Sequence, residues 1–222
     1  MNIHDKLQEL ADPAYLAFSS KLLPGINNMI GVRLPVLRKL AKEICKGSWE
    51  LYLNQVTWDS FEETMLTGMV IAALPLPLDE KWTYIEQFIP HIDNWSVCDS
   101  FCASLSCVKE DRQQCLQRLQ PYLSSSEEFP FRFAVVMLLW YYSDETYLPQ
   151  TIETLVSLTP YGYYAEMAAA WAIATCFTAN PAITLPYLQD SRLSPAVRRI
   201  SIRKIKESTK ISAVWKQQAE RS

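Results

Sequence analysis

Hydrophobic residues recur along the chain at the three- and four-residue spacing of amphipathic helices, with almost none of the alternation typical of strands. One apolar stripe runs from Leu37 to Ile44 and another from Leu116 to Leu123. The chain has five glycines and no Asn-Gly or Asp-Gly pair, so hairpin turns lack their usual residues. The pattern therefore predicts an all-α protein.

Capping residues and prolines mark where the predicted helices begin and end. Residues 60–63 and 125–128 both read Ser-x-x-Glu, the pattern of a capping box. Ser194 stands before Pro195, which places a capping residue ahead of proline at the first helical position. These signals predict helices over 13–22, 35–46, 48–55, 59–74, 79–90, 94–107, 111–123, 128–143, 146–158, 163–179, 181–189, 195–207 and 212–219.

From residue 79 onward the predicted helices form three consecutive pairs, which begin 32 and 35 residues apart. A two-helix period of this length is typical of HEAT or tetratricopeptide solenoids. The pairs are 79–90 with 94–107, 111–123 with 128–143, and 146–158 with 163–179. We therefore expect a single domain over 1–222, folded as a superhelical solenoid of HEAT-like helix pairs. A compact helical bundle is the alternative.

Composition favours a folded, cytoplasmic protein. Of the 222 residues, 49% are hydrophobic and 20% are charged, enough apolar surface for a full core. No stretch approaches the roughly 20 apolar residues of a membrane span. The first ten residues include Asp5, Lys6 and Glu9 and lack the apolar core of a signal peptide. We therefore expect the protein in the cytoplasm.

The six cysteines form no CxxC pair, and the only histidines are His4 and His91. A zinc site therefore lacks its ligand pattern, and we expect six free thiols. The sequence also has no glycine-rich loop that would cradle a phosphate, so it predicts no metal and no other cofactor.

Charge is unevenly distributed. The net charge is −3, but the segment from Arg192 to Lys210 carries seven cations and one anion, a net +6 that leaves −9 over the rest of the chain. A basic segment on an acidic protein can still bind phosphates, because their field extends over about a Debye length. A solvated helix face is the alternative interpretation.

Four residues on the second helices of the predicted pairs stand out. Trp95 and Asp99 lie one helical turn apart, Arg132 is the sole charge in an apolar run, and Trp171 lies among alanines. Their separations of 37 and 39 residues are close to the repeat, which predicts a row along one concave surface. Two structural alternatives remain: Asp99 and Arg132 form an ion pair that fixes helix register, or Trp171 is a core residue.

At these residues the sequence resembles the DNA alkylation repair family of HEAT-like-repeat glycosylases, the AlkD-like proteins. The resemblance extends from about Phe18 to Lys206. Its landmarks are residues 31–40 (GVRLPVLRKL), residues 93–100 (DNWSVCDS), Arg132 between two phenylalanines, Ala170-Trp171, and residues 194–199 (SPAVRR).

The resemblance implies a DNA repair glycosylase that hydrolyses the N-glycosidic bond of cationic N3- or N7-alkylated purines in duplex DNA, without a cofactor. Asp99 would stabilise the positive charge that develops on the deoxyribose. Trp95 and Trp171 would flank the sugar, and these three residues form the implied catalytic set.

The resemblance also implies that Arg132, Arg198, Arg199 and Phe18 contact DNA, mainly through its backbone, and we expect a monomer. Two features differ from active relatives. Phe18 stands where they can carry a tyrosine, and residues 172–176 are neutral where they can carry basic residues. A non-catalytic protein that binds DNA, including branched or distorted DNA, is therefore an alternative, as is a helical-repeat scaffold for proteins or RNA.

Overall fold

The computed structural model describes residues 3–222. Over this range the chain forms fourteen α-helices and four short 3₁₀ helices and no strand, so the all-α prediction is confirmed. No helix in the described range is both long and apolar enough to cross a membrane. The helices group into two compact units, the first ending at Glu110 and the second beginning at Asp111. The solenoid and the single domain over 1–222 stay predictions.

The first unit is organised around α5, which is buried from Phe61 to Ala72. A helix that is apolar on all sides belongs in the interior, and here α1, α3, α6 and α7 pack against it. The helices are α1 Ile3–Glu9, α2 Pro13–Ser19, α3 Leu34–Lys46, α4 Trp49–Leu53, α5 Phe61–Ala73, α6 Leu78–Phe88 and α7 Trp95–Ser104, with 3₁₀ turns at Ser20–Leu22, Ile89–His91 and Ser106–Lys109.

A buried carboxylate on α5 fixes the segment that leads into α3. Glu62 accepts hydrogen bonds from the backbone N–H groups of Ile30, Gly31 and Val32, at 2.8, 2.7 and 3.2 Å. Gly31 has φ +96°, and a Cβ at this position would lie 2.7 Å from the Cβ of Leu16. Glycine is therefore required where this segment passes over α2.

The predicted capping box at the start of α5 is half formed. The Ser60 side chain accepts a hydrogen bond from the Glu63 N–H at 3.1 Å, as predicted. The Glu63 carboxylate, however, accepts from the N–H and hydroxyl of Thr57 and from the N–H of Asp59. Glu63 therefore holds the preceding loop, in which Trp58 has an uncommon positive φ of 62°.

In the second unit α11 packs against both α9 and α13, α8 packs on α9, and α10 packs on α11. The apolar helices α9 and α11 supply most of this core. The helices are α8 Arg112–Leu123, α9 Glu128–Tyr141, α10 Leu148–Ser157, α11 Tyr163–Ala179, α12 Pro181–Thr184, α13 Pro195–Glu207 and α14 Ala213–Glu220, with a 3₁₀ helix at Leu185–Gln189.

The second predicted capping box, at residues 125–128, was wrong. Helix α9 begins at Glu128, and the Ser125 hydroxyl accepts from the N–H of Glu127, two residues on, rather than from that of Glu128. Glu128 instead accepts from the N–H of Tyr164 at 2.5 Å, in the first turn of α11. Tertiary contact with a neighbouring helix thus replaces the local cap.

Candidate functional site

Trp95 and Asp99 lie on the partly exposed face of α7 in the first unit. They are four residues apart, so both side chains project from the same side of the helix. The Asn94 side chain caps α7 by accepting from the N–H of Val97 at 3.0 Å, which fixes where the helix begins. The buried residues of α7 are Val97, Cys98, Phe101 and Cys102.

This partly exposed face of α7 thus presents an indole and a carboxylate one turn apart. This is the arrangement that the sequence predicts for Trp95 and Asp99. In the same unit Phe18, near the end of α2, is 61% exposed, which is unusual for a phenylalanine.

Arg132 on α9 is buried, with 5% of its surface exposed. Its Nη1 donates to the carbonyl oxygen of Tyr164 at 2.8 Å. Glu128, one turn earlier on α9, accepts from the backbone N–H of Tyr164. Gly162 makes room for this carboxylate: its φ is +98°, and a Cβ there would lie 2.4 Å from Glu128 Oε1. Arg132 therefore helps to join α9 to the start of α11, and its phosphate contact stays a prediction.

Trp171 is a surface residue of the second unit and not a core residue. It is partly exposed on α11, and its ring meets that of Trp140 edge to face, with centroids 6.5 Å apart at 82°. Trp140, on α9, is 48% exposed. The sequence did not reveal Trp140, because α9 is apolar on every side and periodicity cannot show which residue faces outward.

Trp171 lines a groove of about 380 Å³ beside α13. Two lysines and one glutamate also line it, and the rest of the lining is small or hydroxyl-bearing. The lining residues are Trp171, Ala174, Thr175, Thr178, Lys204, Glu207, Ser208 and Lys210. The neutral run after Trp171 thus contributes hydroxyl groups, while the cations come from α13 and the segment after it.

The charges in this region act on one another. Burial lowers the pKa of the Lys204 amine, and the Glu207 carboxylate opposes that shift. The positive charges of Arg203 and Arg132 lower this pKa further. The positive charge of Arg132 on α9 therefore acts on Lys204 on α13, within the second unit.

Arg198 and Arg199 lie near the start of α13 and differ in their surroundings. The predicted start of this helix is confirmed, since the Ser194 hydroxyl accepts from the Val197 N–H at 3.2 Å. Arg198 is partly buried and donates from Nη2 to the carbonyl oxygen of Asp190 at 2.8 Å, whereas Arg199 is exposed.

This difference predicts different outcomes for the two alanine variants. Arg199→Ala should reduce the slope of log binding constant against log salt by about 1, because one phosphate contact is lost. Arg198→Ala should chiefly lower the free energy of unfolding, by about 1 kcal/mol, since it removes a hydrogen bond within the protein. Salt-dependent binding to a short duplex and denaturant unfolding measure the two effects. Equal salt slopes for wild type and Arg199→Ala would remove Arg199 from the DNA interface.

The six cysteines are free thiols, as predicted, and five of them are buried. Burial raises the pKa of Cys176 to about 12 and also raises the pKa values of Cys45 and Cys107. Such thiols are poor nucleophiles at neutral pH. Among residues 3–222, no group of three or more His, Cys, Asp or Glu side chains is arranged to hold a metal ion.

A cavity of about 900 Å³ in the first unit is lined by other residues. Leu40, Ile44, Leu51 and Tyr52 contribute to its lining, and none of the predicted site residues does. Cavity size identifies sites for small molecules, whereas the backbone of a nucleic acid binds along open, charged surfaces. In the first unit the residues on α7, and in the second unit those on α11 and α13, are therefore the better candidates for contact with a nucleic acid.

A family model for DNA alkylation repair enzymes matches residues 3–205, nine-tenths of the chain. The chain belongs to the DNA alkylation repair enzyme family. The predicted resemblance is thereby confirmed, and a DNA repair role with it. The match to the DNA alkylation repair family runs through both units and includes all of the predicted site residues. No curated protein matches the chain.

Proposed function

We propose that the protein releases cationic N3- or N7-alkylated purines from duplex DNA by hydrolysing their N-glycosidic bond. The observation that carries the proposal is the partly exposed face of α7, where Trp95 and Asp99 lie one turn apart in a chain of the DNA alkylation repair family. Asp99 is too far into α7 to cap it, since Asn94 already holds that position.

The reaction suits a carboxylate without a strong general acid. An alkylated purine carries a positive charge and leaves with the electron pair of the C–N bond, so it needs no proton from the protein. Positive charge then develops on the deoxyribose, and a carboxylate beside the sugar stabilises it. Asp99 takes this role and also orients the water that adds to C1′. No cofactor is required for these steps.

Aromatic and basic residues of each unit bind DNA. In the first unit Trp95, one turn from Asp99, offers the face of its ring, which attracts the developing positive charge. In the second unit Trp171 offers the face of its ring to the DNA sugar it contacts. In the second unit, Lys210 shares a groove with Trp171 and neutralises a phosphate. Trp140, which meets Trp171 edge to face, supports the orientation of that ring.

A base-release assay tests this function. The protein, in excess over a duplex containing one 7-methylguanine, should release the free base in a single exponential phase. An unmodified duplex and a duplex containing neutral 1,N⁶-ethenoadenine serve as controls and should yield no base, because neither base leaves as readily as a cationic one. Failure to release 7-methylguanine and 3-methyladenine at enzyme excess would contradict the proposal.

A non-catalytic DNA-binding protein is the second candidate, favoured by one observation. Phe18 is exposed but carries no hydroxyl where active relatives can carry a tyrosine. This candidate predicts binding that weakens with salt and no base release from either lesion, so the same duplexes separate the two functions.

A further inference from the structure

Lys204 occupies an uncommon position for a lysine. It lies on α13, is partly buried, and lines the groove that also contains Trp171. The other lysine of this groove, Lys210, is exposed. A lysine held against a groove wall loses hydration of its ammonium group, which distinguishes Lys204 from an ordinary solvated cation.

Its charged neighbours act in both directions. The Glu207 carboxylate raises the pKa of the amine and has the largest single charge effect, while the positive charges of Arg203 and Arg132 lower this pKa. Burial and these two cations lower the pKa of Lys204, so more of the amine is neutral near pH 8 than for an exposed lysine. Desolvation and an adjacent cation are the two features that activate lysines for imine formation.

We propose that Lys204 attacks abasic sites in DNA and gives the protein a lyase activity in addition to base release. The proposal rests on the proposed function, because an abasic site is what remains in DNA after the base has left. It names a second substrate class, an aldehyde in a DNA strand, and a nucleophile on α13.

The chemistry balances without an oxidant or reductant. The ring-opened abasic deoxyribose carries an aldehyde at C1′, and Lys204 Nζ adds to that carbon. Loss of water from the carbinolamine leaves an imine between Nζ and C1′. Removal of a proton from C2′ then breaks the C3′–O bond, and the 3′ phosphate departs with the electron pair. Water finally hydrolyses the unsaturated imine and restores the amine.

The same groove holds groups suited to these steps. Glu207 lines it and is the carboxylate that takes the C2′ proton. Lys210 lies where a cation can stabilise the departing phosphate. The hydroxyls of Thr175 and Ser208 also line the groove and can bind the sugar oxygens.

Borohydride trapping tests the proposal directly. The full-length protein is incubated with a duplex containing a preformed abasic site and sodium cyanoborohydride, which reduces an imine to a stable amine. We expect a covalent protein–DNA adduct on a denaturing gel, and peptide mapping by mass spectrometry should place it on Lys204. Lys204→Arg keeps the positive charge but should lower adduct formation at least tenfold at equal DNA occupancy. Lys42→Arg, an exposed lysine of α3, is the matched control and should match wild type.

The dependence on pH adds a second readout. Because the pKa of Lys204 is lowered, its neutral form appears at lower pH, and the rate of adduct formation should reach half of its maximum below the ordinary lysine value of 10.5. Glu207→Gln should keep the adduct but reduce strand cleavage, since only the second step needs the C2′ proton acceptor.

Three results would overturn the proposal: no adduct with wild type, an adduct mapped to another amine, or undiminished trapping in Lys204→Arg. Mapping on wild-type protein needs no variant, so misfolding of a variant cannot decide the outcome. The abasic site is made beforehand, so trapping is independent of base release. Trapping without release of 7-methylguanine would reject the proposed glycosylase alone, and release without trapping would reject the lyase alone.

Discussion

Replacement of Asp99 by asparagine is expected to lower the rate of 7-methylguanine release by about a hundredfold to a thousandfold. Asparagine keeps the size and polarity of the side chain and removes its negative charge. The positive charge on the deoxyribose then lacks its partner in the transition state, whereas the ground-state duplex carries no such charge. Single-turnover rates at saturating protein isolate this chemical step from binding.

The predicted change should appear in the rate of the chemical step and not in the affinity for DNA. The dissociation constant for the 7-methylguanine duplex should stay within about threefold of wild type. The variant replaces the Asp99 carboxylate with an uncharged amide, and salt at physiological concentration screens the repulsion between that carboxylate and the phosphates. Asp59→Asn, which alters an exposed carboxylate of the same unit, is the matched control. A rate for Asp99→Asn equal to that of Asp59→Asn would remove Asp99 from the mechanism.

The helices were largely predictable, because an apolar stripe and a cap are local signals. The prediction for 163–179 agrees with α11 at both ends, and that for 195–207 agrees with α13. Predicted helices 79–90 and 94–107 were too long, since each ends in a separate 3₁₀ turn. Helix α1 was missed because it has seven residues and buries only Leu7, too little to form a periodic stripe.

The site was predictable only where one helix contains it. Trp95 and Asp99 lie four residues apart, so helical geometry alone places them on one face. The groove beside α13 is different, because Trp171 and Lys210 come from segments that only tertiary packing brings together. Trp140 illustrates the same limit: sequence marks α9 as buried, and the neighbouring helix decides which of its side chains stays exposed.

Glu62→Ala should produce the largest loss of stability. The Glu62 side chain has no exposed surface, and its two oxygens accept three backbone N–H groups from Ile30, Gly31 and Val32. Alanine would leave these donors buried without acceptors, and each hydrogen bond to a charged group contributes about 1.5–3 kcal/mol. We therefore expect the free energy of unfolding to fall by at least about 3 kcal/mol and Tm by about 6 °C or more.

Denaturant unfolding and calorimetry measure this loss, and Glu80→Ala, which alters an exposed glutamate at the start of α6, is the control. The control should change the unfolding free energy by less than about 0.5 kcal/mol, because a solvated helix-surface carboxylate loses no buried partner. A loss below about 1 kcal/mol for Glu62→Ala would mean that water or a shifted backbone satisfies the three N–H groups. The segment from Ile30 to Val32 would then not depend on Glu62, and the close passage of Gly31 over Leu16 would have to hold it in place.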